Sequence, residues 1–352
     1  MKKNMKFGVL VADKKAEVHE HEIPKIDDDE VLVHNKSCNI CTHDYQQWLG
    51  LRHQQPYPMA WGHEQSGIVA NIGKKVENLK VGDQVVDNIY RPCLECANCR
   101  KGLNMHLCLN KPTEKFTIDK YGYYGYYGCG QYEVINKKHV VKLDKKIPFE
   151  EAGFTEPLAT VLQGIERLTL QPGEHVLVIG AGTMGLLNAQ VARFFGANVI
   201  ISELIEKKIQ TAHKLGFDKI INPSKDNFNQ KVKIFTNSQG PSAIIFAVGA
   251  TKAYQQGFDN APRNAKLLIF AANFPAPQWS IDPNLVHYKF WQVIGTYGAS
   301  LKNWQDAVEL LSYKKINVTP LIEKRFALED IQKAFEMAAT PGTYRTAVII
   351  PD

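Results

Sequence analysis

The twenty-nine residues from His175 to Glu203 constrain this chain more than any others: HVLVIGAGTMGLLNAQVARFFGANVIISE. An apolar run rich in β-branched residues, His175 to Ile179, comes first. Gly180, Gly182 and Gly185 follow in G-x-G-x-x-G spacing. Leu186, Leu187, Val191, Phe194 and Phe195 then recur with a helical period, and Gly196 ends that pattern. A second β-branched run, Val199 to Ile201, leads to Ser202 and the acid Glu203. The pattern predicts strand, tight turn, helix and strand. Glycines at these places let the backbone approach a pyrophosphate at the helix N-terminus. G-x-G-x-x-G alone is a weak signal. Here the strand, the helix and an acid about 20 residues on accompany it. The stretch therefore predicts a dinucleotide site. Gly180, Gly182, Thr183, Met184 and Gly185 lie at the phosphates, and Glu203 can accept hydrogen bonds from both ribose hydroxyls.

The segments around that stretch alternate between the two periods. A helical pattern runs through Ala152, Leu158, Val161, Leu162 and Ile165 up to Pro172-Gly173. After Glu203 come a helix over 205–215, a strand near Lys219–Ile221, a strand Ala243–Phe246 leading to Val248-Gly249, and a strand Lys266–Phe270. Val248 closes its strand at the cofactor end. Such alternation predicts an α/β fold, a doubly wound parallel sheet. Two helices near 301–312 and 329–339 and a final strand, Thr346–Ile350, follow. The first 150 residues read differently. Phe7–Val11, Glu30–Val33, Gly67–Ala70 and Gln84–Val86 are short strand patterns separated by Gly73, Gly82-Asp83 and prolines. They predict a smaller, β-rich domain. Tyr121 to Gly130 (YGYYGYYGCG) reads as an irregular loop beside a strand starting near Gln131.

Composition excludes several classes. Apolar residues make up 44% and charged residues 22% of the chain, as in ordinary globular proteins. No apolar stretch approaches the ~20 residues of a membrane helix. The run Phe7 to Ala12 is too short for a signal peptide. A cytoplasmic protein is expected. The net charge of +6 comes from lysines spread along the chain, without the clustering and interleaved aromatics of a nucleic-acid surface. Anionic substrates remain compatible with it.

Cys93, Cys96, Cys99 and Cys108 form C-x2-C-x2-C-x8-C. Four thiolates this close can complete a tetrahedral zinc shell with no open position. Such a site stabilises a lobe and does no chemistry. Other candidate ligands are dispersed. Cys41 lies in Cys38-Asn-Ile-Cys-Thr-His-Asp44, His63-Glu64 in Trp61-Gly-His-Glu-Gln-Ser-Gly67, and Glu156 in Phe154-Thr-Glu-Pro-Leu158. Singly, each reads as readily as a buried thiol, a core histidine or a carboxylate at a helix start.

Taken in order, these segments resemble the zinc-dependent medium-chain dehydrogenases, especially the sorbitol, polyol and threonine dehydrogenase branch. The resemblance covers nearly the whole chain. It implies a GroES-like catalytic domain over 1–157 with the cysteine lobe at about 90–110, a Rossmann NAD-binding domain over 158–296, and a C-terminal return over 297–352. It also implies an active site in a cleft between the domains and a homodimer or homotetramer. A catalytic zinc would be held by Cys41, His63 and a carboxylate. In that branch Glu64 is often the direct ligand, and Glu156 binds directly or through water. Two carboxylates would also admit manganese. The implied reaction passes a hydride from a secondary alcohol of a polyol or polyol phosphate to NAD, giving the ketose. Glu203 favours NAD over NADP, while Lys207 and Lys208 leave room for NADP; Lys208 matches a basic adenosine contact of the family.

The sequence departs from the family pattern in places. Thr42, His43 and Asp44 stand where Gly, then Ser or Thr, then Asp is usual. His43 thus replaces the proton-relay hydroxyl, and its ordinary pKa suits a relay. Gln46 stands where threonine dehydrogenases have histidine, which argues against an amino-acid substrate. The gap before Cys108 is one residue longer than usual. Cys129 replaces a common glycine, and Cys38 reads as a buried thiol. A simple alcohol or diol dehydrogenase is the alternative within the class. A non-catalytic NAD- and zinc-binding regulatory protein is the alternative outside it.

Overall fold

The protein is described from a computed structural model, which covers residues 3–53, 55–110 and 118–352. The chain divides into two compact units, Met1–Ala159 with Ala299–Asp352, and Thr160–Gly298. Both units mix helices and strands, and the sheet of the second is parallel throughout.

The second unit is built on six strands. Their order across the sheet is Ile220–Ile221, Asn198–Ser202, His175–Ile179, Ala243–Phe246, Lys266–Ile269 and Gln292–Gly295. The order reverses beside His175–Ile179, where a doubly wound sheet binds its ligand. Val176, Leu177, Val178, Ile244, Ile245 and Phe246 are fully buried, as strands covered by helices on both faces must be. Helix Thr183–Phe194 follows the first strand directly, with Gly182 as its N-cap. Helices Phe228–Phe235 and Thr251–Asn260 and strand Gln292–Gly295 also belong to the unit. The sequence pattern did not isolate these three.

The first unit holds two sheets. The larger runs Ile322–Ala327, Arg345–Ile349, Glu30–Ile40, Glu64–Ile72, Gln84–Asp87 and Val140–Lys142, with Tyr132–Asn136 also paired to Glu30–Ile40. The smaller runs Lys15–Glu22, Asn4–Ala12, Met59–Ala60 and Tyr124–Gly125. Strand Lys15–Glu22 (KAEVHEHE) carries no run of apolar residues, and the sequence pattern passed it over. The tyrosine-rich stretch packs its rings within the fold: Tyr123 and Tyr127 sit against Phe7, and Tyr121 stacks on His21 at 4.0 Å. Cys38 and Cys129 are both fully buried in an apolar cluster with Trp61, Phe335 and Val348. Among the described residues no helix is long and apolar enough to cross a membrane.

Strand register positions the first unit's chemistry. Asn39 pairs with Glu64, and Ile40 pairs with Thr346. The end of strand Glu30–Ile40 is therefore flanked by Glu64 on one side and Arg345 on the other. Cys41 follows immediately, at the start of helix Thr42–Trp48.

Candidate metal centre and dinucleotide site

Cys41 ends a strand and begins a helix, so its backbone is held from both directions. Its N–H donates to Asp44 Oδ2 at 2.8 Å, which fixes the first helical turn. The other oxygen, Asp44 Oδ1, lies 3.2 Å from His63 Nδ1. One buried carboxylate thus sets both the helix start and the ring of His63. With Nδ1 turned to Asp44, His63 has Nε2 to offer a metal. Burial opposes a charge on the His63 ring, but Asp44 and then Cys41 overcome it and hold its pKa well above the ordinary value.

The donor atoms of Cys41, His43 and His63 all lie within 4.8 Å of one another. Those of His63, Glu64 and Glu156 form a second such group. His63 is common to both. The structure therefore brings together the dispersed candidates Cys41, His43, His63, Glu64 and Glu156, all from the first unit. Burial pushes the Cys41 thiol up, while Arg345 and His63 act against it. Burial, then the neighbouring His63, pushes His43 down to about 4. Its ring is neutral at pH 7 and carries a free lone pair.

The two carboxylates differ in their partners. Arg345 Nε donates to Glu64 Oε2 at 2.9 Å, and a terminal nitrogen donates to Oε1 at 2.7 Å. That nitrogen also lies 3.5 Å from Cys41 Sγ. Burial pushes the Glu64 carboxyl up and the guanidinium pulls it back; one N–H on each oxygen is the pattern of an ionised carboxylate. Burial alone would lower the Arg345 pKa, but Glu64 and Cys41 raise it, so the guanidinium stays charged. Glu156 lies in the first turn of helix Thr155–Leu168 and accepts from Tyr90 Oη. Sequence reasoning missed Arg345, Asp44 and Tyr90. The available signal was a charged residue opening the otherwise apolar strand Arg345–Ile349.

The donor set fits a zinc ion. One thiolate, imidazole nitrogens and a carboxylate oxygen are its ordinary ligands. Beside them Arg345 donates to both oxygens of Glu64, and Glu156 accepts from Tyr90.

The four lobe cysteines converge separately. Cys93 Sγ and Cys99 Sγ are 3.9 Å apart, close to the ~3.8 Å that tetrahedral sulfurs 2.3 Å from one ion would show. Backbone N–H groups point at the sulfurs: Cys93 to Cys108 Sγ, Glu95 and Cys96 to Cys93 Sγ, and Leu109 to Cys96 Sγ, at 3.3–3.4 Å. The N–H groups of Cys99 and Leu109 bring the Cys96 thiol down to about 6. The wiring thus favours thiolates at Cys93 and Cys96, the form a metal needs, while burial and then Cys96 push Cys99 up to about 12.

In the second unit the glycine turn is as tight as its spacing requires. Gly180 has φ +100°, and a Cβ on Gly185 would stand 1.8 Å from Gly180 O. A side chain at Gly180 would be strained by that φ, and one at Gly185 would clash with the backbone of the turn. The N-terminus of helix Thr183–Phe194 has no side-chain cap hydrogen bond, which suits a phosphate at the turn. Glu203 is fixed at the end of strand Asn198–Ser202. Its Oε2 accepts from Ala181 N at 2.7 Å, and its Oε1 from Leu204 N and Ile205 N at 2.7 and 2.9 Å. Lys208 Nζ lies 3.8 Å from where a Gly182 Cβ would be. Val248 is partly exposed, with its side chain against Gly180. Thr183 is buried in the first helical turn beside Met184.

Comparison with known proteins gives the family. The family model for the alcohol dehydrogenase GroES-like domain matches residues 27–145, and that for zinc-binding dehydrogenases matches residues 183–313. L-threonine 3-dehydrogenase of Pyrococcus furiosus is 32% identical over 344 residues, 95% of each chain. The chain belongs to the zinc-dependent medium-chain dehydrogenases. Among solved members, galactitol-1-phosphate dehydrogenase from Escherichia coli is 26% identical, with a TM-score of 0.83 over 98% of this chain and 99% of that one. A Sinorhizobium meliloti protein described as a zinc-binding dehydrogenase and bound to NADP has the same fold, at 24% identity and a TM-score of 0.86 over 99% and 100% of the two chains. The protein is thus an oxidoreductase of alcohols, of a family that uses zinc and a nicotinamide dinucleotide.

Proposed function

We propose that this dehydrogenase oxidises a secondary alcohol of a polyol or polyol phosphate with NAD, giving the ketose, NADH and a proton. The observation that carries the reading is the pair of mixed donor groups, Cys41 with His43 and His63, and His63 with Glu64 and Glu156, joined at His63 and set apart from the all-sulfur lobe. Zinc bound there supplies Lewis-acid chemistry, lowering the pKa of an alcohol as it lowers that of water from 15.7 to roughly 7. Asp44 keeps His63 in the ligating tautomer. Arg345 balances the charge of Glu64 and steadies Cys41. His43, in reach of the same centre, is the proposed proton relay. Zinc is the expected metal in the lobe as well, giving two per chain.

NAD is favoured because Glu203 is held by three backbone N–H groups and places a fixed negative charge where a 2′-phosphate would lie. Lys208 is the expected adenosine-side contact. For the substrate, Gln46 replaces the histidine of threonine dehydrogenases; it is buried, and its Oε1 has no hydrogen-bond partner among the described residues. L-Threonine is the second reading, favoured by the 32% identity to the Pyrococcus enzyme. A homodimer or homotetramer is expected, which light scattering would test.

The deciding experiment is a turnover screen of polyols, polyol phosphates, simple alcohols and L-threonine with NAD and NADP. The highest kcat/KM should fall on a polyol or its phosphate with NAD. L-Threonine as the best substrate would replace the polyol reading. NADH binding without oxidation of any alcohol would remove the catalytic one.

A further inference from the structure

Tyr90 lies three residues before the lobe cysteine Cys93 and is buried. Its hydroxyl donates to Glu156 Oε1. The Glu156 carboxylate is grouped in turn with donor atoms of His63 and Glu64, all within 4.8 Å of one another. One hydrogen bond thus reaches from the segment that opens the lobe into the mixed donor cluster. The terminal torsion of a glutamate is broad, so a fixed hydroxyl on one oxygen narrows the directions open to the other. The Tyr90 ring is itself held from the lobe side. His106 packs on it with centroids 4.6 Å apart at 58°, and the buried Trp304 meets it edge-on at 5.9 Å and 88°. His106 belongs to the turn Met105–Leu107, which runs straight into Cys108, and the Cys108 N–H donates to Met105 O at 3.2 Å. Asn88 joins the same two segments a second time. Its Nδ2 donates to Met105 Sδ at 3.1 Å, and its Oδ1 accepts from Tyr90 N at 3.3 Å. The turn beside the fourth lobe cysteine therefore grips both the ring and the backbone of Tyr90.

We infer that Tyr90 is a positioning residue, which orients the Glu156 carboxylate toward the catalytic metal, and that the lobe holds Tyr90 in place through His106. The inference rests on the functional reading above. It gives the lobe a task beyond stability. The lobe does no chemistry on the substrate, but the turn next to Cys108 sets the direction of a carboxylate at the centre. Ligands of a metal are oriented by the groups that hydrogen-bond to them, and here the orienting group is anchored by a second cluster of ligands.

The test reads the metal and does not depend on turnover. Cobalt(II) replaces the catalytic metal of the holoenzyme, with zinc kept in the lobe, and its visible absorption bands report the ligand field. Tyr90→Phe keeps the ring against His106 and Trp304 and removes only the hydroxyl. It should shift those bands and weaken cobalt affinity about tenfold in competition with a chelator, as loss of a partner of a metal ligand does. His106→Leu leaves the hydroxyl in place and should shift the bands the same way. In the double variant His106→Leu should add nothing further, since its effect runs through Tyr90. Lobe zinc content should stay unchanged in all three. Bands and affinity that ignore Tyr90→Phe overturn the inference, even where urea unfolding shows lost stability, because packing alone would give that loss. Shifts that simply add in the double variant, or none from His106→Leu, overturn it as well. Each of these results leaves the dehydrogenase reading standing. A protein that takes up no cobalt outside the lobe overturns both.

Discussion

The cysteine lobe and the proposed catalytic centre are both clusters of candidate metal ligands in one unit, yet they are built in opposite ways. The lobe draws Cys93, Cys96, Cys99 and Cys108 from a single short segment, and its charge is stabilised by neighbouring backbone N–H groups. The centre draws Cys41, His63, Glu64 and Glu156 from three separate segments, and its charges are balanced by other side chains: Asp44 on His63, Arg345 on Glu64, Tyr90 on Glu156. Local wiring suits a site that only has to hold. Balance from distant strands leaves donors buried, oriented and mutually tuned, as chemistry needs.

That contrast can be broken first by removing one sulfur from each cluster. Cys41→Ala should lower turnover by roughly 10³-fold or more, since Lewis-acid polarisation is worth several kcal/mol and each ~1.4 kcal/mol is tenfold. Lobe metal should stay. Cys99→Ala should empty the lobe and leave metal at the centre. Metal analysis of both variants checks this, and loss of both metals from either one would show that the clusters are not independent. The next effect concerns the buried pair. Arg345→Met strands the Glu64 charge, and breaking one side of such a pair costs about 3–5 kcal/mol. Urea unfolding should show a loss of that size, and adding Glu64→Leu should recover much of it. Equal stability of the single variant and the wild type would mean that Glu64 is balanced elsewhere.

These differences also explain what the sequence could reveal. Spacing announces the lobe, because its ligands lie close enough to be read together. The glycine turn is legible for the same reason: Gly180, Gly185 and Glu203 are tied by contacts within one βαβ unit. Cys41, His63 and Glu156 have no local signal strong enough to mark them, and only the order of segments, seen as a resemblance, singled them out. Arg345 offered no signal beyond a charge at the head of its strand. It lies 281 residues from Glu64, and the two meet only because strands Arg345–Ile349 and Glu64–Ile72 flank the same third strand. Strand Lys15–Glu22 escaped because edge pairing to Asn4–Ala12, and not apolar content, makes it a strand.

Two smaller effects sharpen the picture. Glu203 belongs to the contiguous kind of site, so its removal should act locally. Glu203→Ala should shift the NADP to NAD ratio of kcat/KM by roughly tenfold, the effect of about 1.4 kcal/mol, without changing metal content. An unchanged ratio would take Glu203 out of cofactor choice. The smallest concerns His139, whose carbonyl accepts from Asn88 N near the root of the lobe. Its Nδ1 is buried without a hydrogen-bond partner among the described residues. Burial, then Arg91, holds its pKa at about 4, below the ordinary 6.5. The unfolded chain therefore takes up the proton first. The stability contributed by His139 is complete above pH 6.5 and falls away as pH drops toward 4. His139→Gln should flatten the decline of the urea midpoint across that window. An identical decline in the variant would assign the acid sensitivity to other groups.

The pairing of Glu64 with Arg345 also sets a timetable. As the chain emerges from the ribosome, all four lobe cysteines are present once residue 108 is made, and that segment can gather metal at once. Glu64 has been made by then, but its counter-charge is still more than 200 residues from synthesis. Until strand Arg345–Ile349 inserts beside Glu30–Ile40, the nascent centre lacks the guanidinium that its buried carboxylate needs. The four lobe thiols are thus all in place during translation, whereas the charges around Glu64 are matched only after it.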